Sequence, residues 1–146
     1  MIANQLFSIV NLVALLGWVL LATFPQRRWP ADVVCGWVIP ALLSGVYVAI
    51  IAFTFGRSPG GFSSLPDVAL LFSDPWLLLA GWVHYLAFDL FVGSWIVRDA
   101  RDRQIRHLFL LPSLALTFLF GPGGWLSYLL LRGVLLGSKR TRQVAT

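Results

Sequence analysis

The chain has 146 residues, of which 58% are hydrophobic and only 12% are charged, and its mean hydropathy is +0.81. A soluble domain carries about 25% charged residues, so this chain has too few polar side chains to cover its own surface and is predicted to be an integral membrane protein. The net charge of +5 does not indicate a nucleic-acid partner, because the basic residues flank apolar segments, where they anchor and orient membrane helices.

The cysteine and histidine content does not indicate a metal or other cofactor. Cys35 is the single cysteine, so no intramolecular disulfide forms, and no Cys/His pattern has zinc-site spacing. The amino-terminal stretch has neither a basic n-region nor an A-x-A-like cleavage site, and it is predicted to be a retained span and not a signal peptide. No plastid transit segment is recognised before it.

The first half of the chain contains two apolar stretches that are long enough to cross a bilayer, which takes about 20 residues in a helix. The first is 2–24, and it is followed by Pro25 and a pair of arginines. The second is 33–55. Pro40 falls within its first half and is predicted to kink the helix without ending it.

A loop rich in glycine, proline and serine follows, and it leads into the third span. Residues 65–72 are predicted to form a short interfacial helix capped by Ser64. Asp74 is then placed to cap a helix that begins at the following proline. This helix provides the third span, predicted at 75–97.

The third helix is predicted to continue beyond the membrane into the charged segment RDARDRQIRH. Asp99 precedes Arg103 by four residues, and Asp102 precedes Arg106 by the same spacing. An acid four residues before a base stabilises an exposed helical turn by a few tenths of a kcal/mol.

The last apolar segment, 108–131, is interrupted by Gly121, Pro122, Gly123 and Gly124. One interpretation is a single transmembrane helix kinked at these residues and followed by a basic tail, 133–146. The other is a re-entrant hairpin that returns to the side on which it started.

Length and charge favour different interpretations of this segment. Each half is too short to span the bilayer alone, which favours a fourth crossing. With four crossings the eleven Lys and Arg residues divide six to five between the two sides, whereas a hairpin divides them ten to one, as the positive-inside rule prefers. The fold prediction is an all-α integral membrane protein, residues 1–146 forming a single four-transmembrane-helix bundle.

Two ionisable residues, His84 and Asp89, lie in the middle of the third span. A charged aspartate there costs about 2.5–3.5 kcal/mol on insertion scales, so it requires a partner. At 100° per residue the two side chains point about 140° apart, which disfavours a direct pair. Interhelical hydrogen bonding, a ligand or catalytic site, and a proton path all remain open from the residue types.

The second half of the chain resembles a known family. The pattern W-V-H-Y-L-A-F-D-L-F at 82–91 is followed by the charged run at 98–106 and by P-S-L-A-L-T-F-L-F-G-P-G-G-W-L-S-Y-L-L-L-R at 112–132. Their order and spacing resemble the small membrane proteins related to the plant abscisic-acid-deficient protein that is required for neoxanthin formation. The likeness extends over about 64–132, and the first two spans agree in hydrophobicity and placement.

The resemblance implies a membrane protein that binds or isomerises a carotenoid or isoprenoid-like lipid. Opening a 5,6-epoxide and creating an allene requires an acid and a base and no redox cofactor. By this resemblance, His84 and Asp89 are the catalytic candidates. The residues expected to bind substrate are Trp82, Tyr85, Phe88, Trp125, Tyr128 and Arg132.

Two other functions remain alternatives: a non-catalytic assembly or accessory subunit, and a small proton- or solute-conducting unit. Each is compatible with a membrane partner protein or a homo-oligomer. The expected location is a bacterial-type plasma membrane, with several crossings.

Overall fold

The computed structural model describes residues 2–24 and 27–144, with side chains as far as Gly137. In these ranges the chain is helical and contains no strand. Its helices are α1 (Ile2–Thr23), α2 (Pro30–Thr54), α3 (Leu65–Leu71), α4 (Pro75–Asp102), α5 (Leu111–Phe120) and α6 (Pro122–Val144). Pro25, predicted to end the first span, lies outside the described residues.

Three helices, α1, α2 and α4, are long and apolar enough to cross a membrane. The first and third of these run in the same direction, because Phe7 packs against Trp82 near their starts and Trp18 lies against Gly93 further along. Helix α4 is the most buried of the three and contacts all the other long helices. It is the central element of the fold.

Helix α2 runs antiparallel to α4. Gly36 lies beside Ser94, and Tyr47 contacts His84 nearer the start of α4. The first part of α2, Pro30–Val38, has wider π-type turns and continues directly into α-helix from Ile39. The change comes at Pro40, which has no backbone N–H to donate to the preceding turn. The proline therefore alters the helix geometry without ending it.

Helix α4 begins at a side-chain cap. The Asp74 carboxylate accepts hydrogen bonds from the N–H groups of Trp76 and Leu77, at 2.8 and 3.4 Å. The Ser58 hydroxyl donates a further bond to the same carboxylate. These bonds, the one from Ser58 foremost, hold the pKa of Asp74 below its ordinary value. The cap fixes the loop 55–64 to the start of the central helix.

Helix α4 continues past the predicted span end and stops after Asp102. The backbone N–H of Gln104 bonds to the carbonyl of Arg101 and that of Ile105 to Ala100, which is a Schellman motif. The Asp99–Arg103 pair forms, at 2.9 Å. Because the helix has already ended, Arg106 is not one turn beyond Asp102, and no such pair is found among the described side chains.

The prediction of a single kinked helix over 108–131 is wrong. The chain reverses at Gly121, whose φ is +47°, and α5 and α6 pack antiparallel. The hydroxyl of Ser127 donates to that of Ser113 at 2.9 Å. Helix α5 has ten residues and spans about 15 Å, roughly half the hydrocarbon thickness. The four-helix transmembrane bundle is therefore not confirmed, and the structure matches the re-entrant alternative.

Candidate functional site

Asp89 lies at the turn of the re-entrant hairpin. Its side chain is buried, with 8% of the residue exposed, and Oδ2 has no hydrogen-bond partner among the described residues. A buried polar atom without a partner costs about 1–3 kcal/mol, and more when the group is charged. Oδ2 therefore retains an unused hydrogen-bonding position inside the protein.

Glycine is required at the hairpin turn for two reasons. A φ of +47° combined with a ψ of −101° at Gly121 is disfavoured for side-chain-bearing residues. In addition, a Cβ atom there would lie 2.8 Å from Oδ1 of Asp89. Helices α5 and α6 also approach each other closely at Gly124, because a Cβ atom there would lie 2.0 Å from the backbone nitrogen of Thr117. Both glycines allow the backbone to approach α4 and α5 closely.

Tyr85 lies one helical turn before Asp89 on α4 and also contacts the hairpin. Its hydroxyl donates to the backbone carbonyl of Phe118 at 3.2 Å. That carbonyl belongs to the last turn of α5, where carbonyls lack an intrahelical partner. The hydroxyl thus stabilises the end of α5 and lies beside the buried carboxyl.

Trp82 shares this face of α4. Its indole Nε1–H donates to Oδ1 of Asn11 on α1 at 3.1 Å, and its ring centroid is 5.3 Å from that of Tyr85. The hydrogen bond satisfies both polar groups within an apolar surrounding. Two of the predicted substrate-binding residues therefore lie together on the side of Asp89.

A groove of about 570 Å³ lies between α1 and the first half of α4. Its lining is predominantly apolar and includes Phe7, Phe72, Pro75, Trp82 and Tyr85. It is within the size range of small-molecule sites, which are typically apolar with a few polar groups. Tyr85 is the lining residue furthest along α4 and defines the inner end of the groove. This end therefore lies one helical turn from Asp89.

His84 is not part of this arrangement. It is exposed on the opposite side of α4, next to α2, and its ring lies 4.6 Å from Phe88 and 5.7 Å from Tyr47. The structure thus places the two catalytic candidates on different faces, in agreement with the 140° separation expected from the helix. Phe88 accompanies the histidine and not the carboxyl.

Tyr128 and Arg132 lie at a second polar cluster, at the far end of α4. The Tyr128 side chain is fully buried and its hydroxyl donates to Oδ2 of Asp99. Arg132 Nη1 lies 3.4 Å from the same oxygen, and Arg103 Nε lies 2.9 Å from it. Sequence reasoning missed this role of Asp99 because the aspartate already had a partner four residues away. The signal in the sequence was the presence of Tyr128 and Arg132 in an apolar segment, since both side chains need a polar partner there.

The last predicted residue, Trp125, lies in the first turn of α6 and is 43% exposed. It does not line the groove. Among the described side chains, no group of three or more His, Cys, Asp or Glu could hold a metal ion.

Comparison with known families gives a match over most of the chain. A family model described as ABA DEFICIENT 4-like matches residues 5–128. The chain belongs to the ABA DEFICIENT 4-like family. The match includes α1 and α2 as well as Asp89 and the hairpin turn, so the family resemblance of the second half is confirmed and extends to the first two spans. No curated protein and no solved structure matches the chain.

Membership gives the protein a general assignment. The family is related to neoxanthin synthesis, and the three long apolar helices suit a membrane protein. Tyr128 is the last residue of the match, and Arg132 lies beyond it.

Proposed function

We propose that this protein binds a carotenoid or isoprenoid-like lipid in the groove between α1 and α4 and isomerises it at Asp89. The observation that carries the proposal is the unpartnered, buried Oδ2 of Asp89, next to the inner end of an apolar groove. An elongated apolar molecule with a polar ring would place its chain along the groove and its oxygen near the carboxyl. Family membership supports this substrate class.

The chemistry suited to this site is proton transfer without a change of oxidation state. Protonation of an epoxide oxygen breaks a C–O bond, and loss of a proton from the adjacent polyene then forms the allene. A carboxylic acid can give the first proton and, as the resulting carboxylate, accept the second, so atoms and charge balance on one residue. In this proposal Asp89 performs both steps, and the Tyr85 ring lines the adjoining end of the groove.

His84 has no part in the proposed proton transfer, because it faces α2 on the other side of the helix. The hairpin turn at Gly121 packs directly against the carboxyl. It excludes water from the carboxyl, as acid–base chemistry on a reactive polyene requires.

The test is an Asp89→Asn variant, with Asp102→Asn as the matched control, since Asp102 is an exposed carboxylate on the same helix. Each protein is purified from a host that makes epoxycarotenoids, and the co-purifying lipids are identified by mass spectrometry. Turnover of added violaxanthin is measured in parallel. We expect Asp89→Asn to lower turnover by about 10²–10⁴-fold, with an unchanged Tm.

Wild-type turnover in Asp89→Asn would contradict the proposal, as would an absence of any isoprenoid lipid or turnover in the wild type. If Asp89→Asn changes only the Tm or the assembly with other proteins, the function as an accessory subunit replaces the proposed isomerase. His84→Ala is expected to retain turnover. This result would show that the face of α4 that carries Asp89, and not the face that carries His84, is needed for the reaction.

A further inference from the structure

A second cavity, of about 280 Å³, lies at the carboxyl end of α4. Its polar lining consists of Arg101, Gln104, Arg106 and His107. Sixteen residues separate Arg101 from Tyr85, which corresponds to about 24 Å along the helix. The cavity is therefore distinct from the groove, and the following inference does not depend on the proposed lipid chemistry.

Arg101 is incompletely paired at this cavity. Its Nη2 bonds to Oδ1 of Asp32, whereas Nε and Nη1 are shielded from water and have no acceptor. An arginine that only anchors a helix at the membrane surface keeps its charged group in water. Buried donors in native proteins are nearly always satisfied, so the guanidinium indicates an acceptor beyond those of the described chain.

Arg106 adds a second positive charge to the cavity lining. It lies in the extended segment after α4, and no carboxylate of the described side chains forms an ion pair with it. None of the residues lining the cavity is acidic. His107 lines it as well, but its Nε2 donates to the carbonyl of Ala22 at 3.0 Å, which holds the ring in place.

The backbone of Gln104, at the same cavity, has a conformation that is unusual for a residue with a side chain. It is the only described residue other than glycine with a positive φ, +56°, and it occupies the Schellman position at which glycine is usual. A side chain there costs conformational energy, and strain of this kind clusters at functional sites. Gln104 lines the cavity, and its side-chain amide is a donor that glycine would lack.

We propose that this cavity binds a phosphate-type oxyanion. Arginine guanidinium groups match the geometry of phosphate oxygens through paired N–H donors, and the Gln104 amide adds a neutral donor. The carbonyls at the end of α4 do not oppose an anion strongly, because those of Asp99, Ala100 and Arg101 already accept backbone bonds. The phosphate belongs either to the headgroup of an anionic phospholipid or to free inorganic phosphate.

The test measures ligand-dependent Tm of the purified full-length protein in detergent at constant ionic strength. The probes are inorganic phosphate, dioctanoyl-phosphatidylglycerol, and dioctanoylglycerol, which has the same chains without a phosphate. A ligand that binds only the folded protein raises Tm with its concentration, which gives an apparent Kd. We expect phosphate, phosphatidylglycerol or both to raise Tm, and dioctanoylglycerol to have no effect.

Three variants locate the binding. Arg106→Gln should weaken Kd by about tenfold or more, since a hydrogen bond to a charged group is removed. Gln104→Gly should also weaken Kd, yet it should leave the Tm of the unliganded protein unchanged or higher, because glycine relieves the positive φ. Arg57→Gln, an exposed arginine at the far end of α2, should keep the wild-type Kd.

The outcomes are exclusive. A response to phosphatidylglycerol alone assigns the site to a lipid headgroup, and a response to phosphate alone assigns it to the free ion. A response to both supports a site that recognises the phosphate group itself, whether or not it carries acyl chains. The proposal is overturned if neither probe raises Tm, or if dioctanoylglycerol raises it as much as phosphatidylglycerol does. It is also overturned if Arg106→Gln or Gln104→Gly binds with the wild-type Kd.

Discussion

Two locally unfavourable residues meet at the centre of this protein. Gly121 has a left-handed backbone conformation at the hairpin turn, and Asp89 places an unpartnered carboxyl oxygen against it. Each carries an energetic cost that the surrounding packing must offset. The combination is typical of a functional site, where the backbone is shaped to hold a polar group and not to maximise stability.

Gly121→Ala tests whether this contact holds the hairpin turn in place. The new Cβ would collide with the Asp89 carboxylate and require an unfavourable φ, so we expect a loss of at least about 1–2 kcal/mol of unfolding free energy. Thermal unfolding in detergent measures it.

Gly45→Ala is the matched control, because Gly45 lies within helix α2 and a Cβ there meets no atom within 4 Å. Alanine is favoured over glycine in a helix by up to about 1 kcal/mol, so this variant should be at least as stable as the wild type. Equal stability of the two variants would contradict the role assigned to Gly121.

The hairpin of α5 and α6 is fixed at both ends. Its turn contacts Asp89 through Gly121, and further along α6 Tyr128 and Arg132 bind Asp99 on α4. Ionic hydrogen bonds of this kind are stronger than neutral ones. Asp99 thus binds α6 to the central helix through charged hydrogen bonds, whereas Asp89 meets the hairpin turn through close packing alone.

Tyr128→Phe removes one of the bonds to Asp99 without changing the ring packing against Trp95. Loss of a hydrogen bond to a charged group should lower the unfolding free energy by about 1.5–3 kcal/mol. Tyr47→Phe is the control, since that tyrosine contacts His84 through its ring. A Tyr128→Phe protein as stable as Tyr47→Phe would show that the cluster does not fix α6.

Sequence predicted the elements that depend on length and local capping. The three long spans follow from their apolar length, and the start of α4 follows from Asp74 and Pro75. The GPGG segment could not be resolved in the same way, because a kink and a reversal have the same local signature. Tertiary contacts decide between them, in particular those of Gly124 with Thr117.

In the candidate site, too, local sequence predicted some features, whereas others depend on tertiary contacts. The cost of a charge in an apolar helix predicted a partner for Asp89, but Oδ2 has no hydrogen-bond partner among the described residues. Helix geometry predicted that His84 points elsewhere, and it does. The position of Gly121 beside Asp89 was beyond sequence reasoning, because the contact depends on the reversal of the chain. The charge distribution was the one sequence signal that favoured the hairpin.

At the scale of the whole molecule, three candidate spans and a returning hairpin distribute charge unequally. Arg57 is alone among the Lys and Arg residues at the end where α2 finishes and α4 begins. The opposite end carries Arg27, Arg28, Arg98, Arg101, Arg103, Arg106, Arg132, Lys139, Arg140 and Arg142. The positive-inside rule therefore predicts that this end faces the cytoplasm.

This topology predicts that the two chain termini lie on opposite sides of the membrane, whereas four crossings would place them on the same side. In a bacterial host, a carboxyl-terminal green fluorescent protein fusion should fluoresce and an alkaline phosphatase fusion at the same site should be inactive. Phosphatase joined after Arg57 should be active and serves as the control. Active phosphatase at the carboxyl terminus would contradict the arrangement.

The ten-residue length of α5 has a consequence for biosynthesis. A segment that covers half of the bilayer cannot be released into lipid as an independent span while the ribosome is still translating. We expect the hairpin to enter only as a pair, after α4 has been inserted and offers its two aspartates. We expect a chain stopped before Leu111 to leave the Asp89 carboxyl without the cover of the hairpin turn, and therefore to be less stable in the membrane.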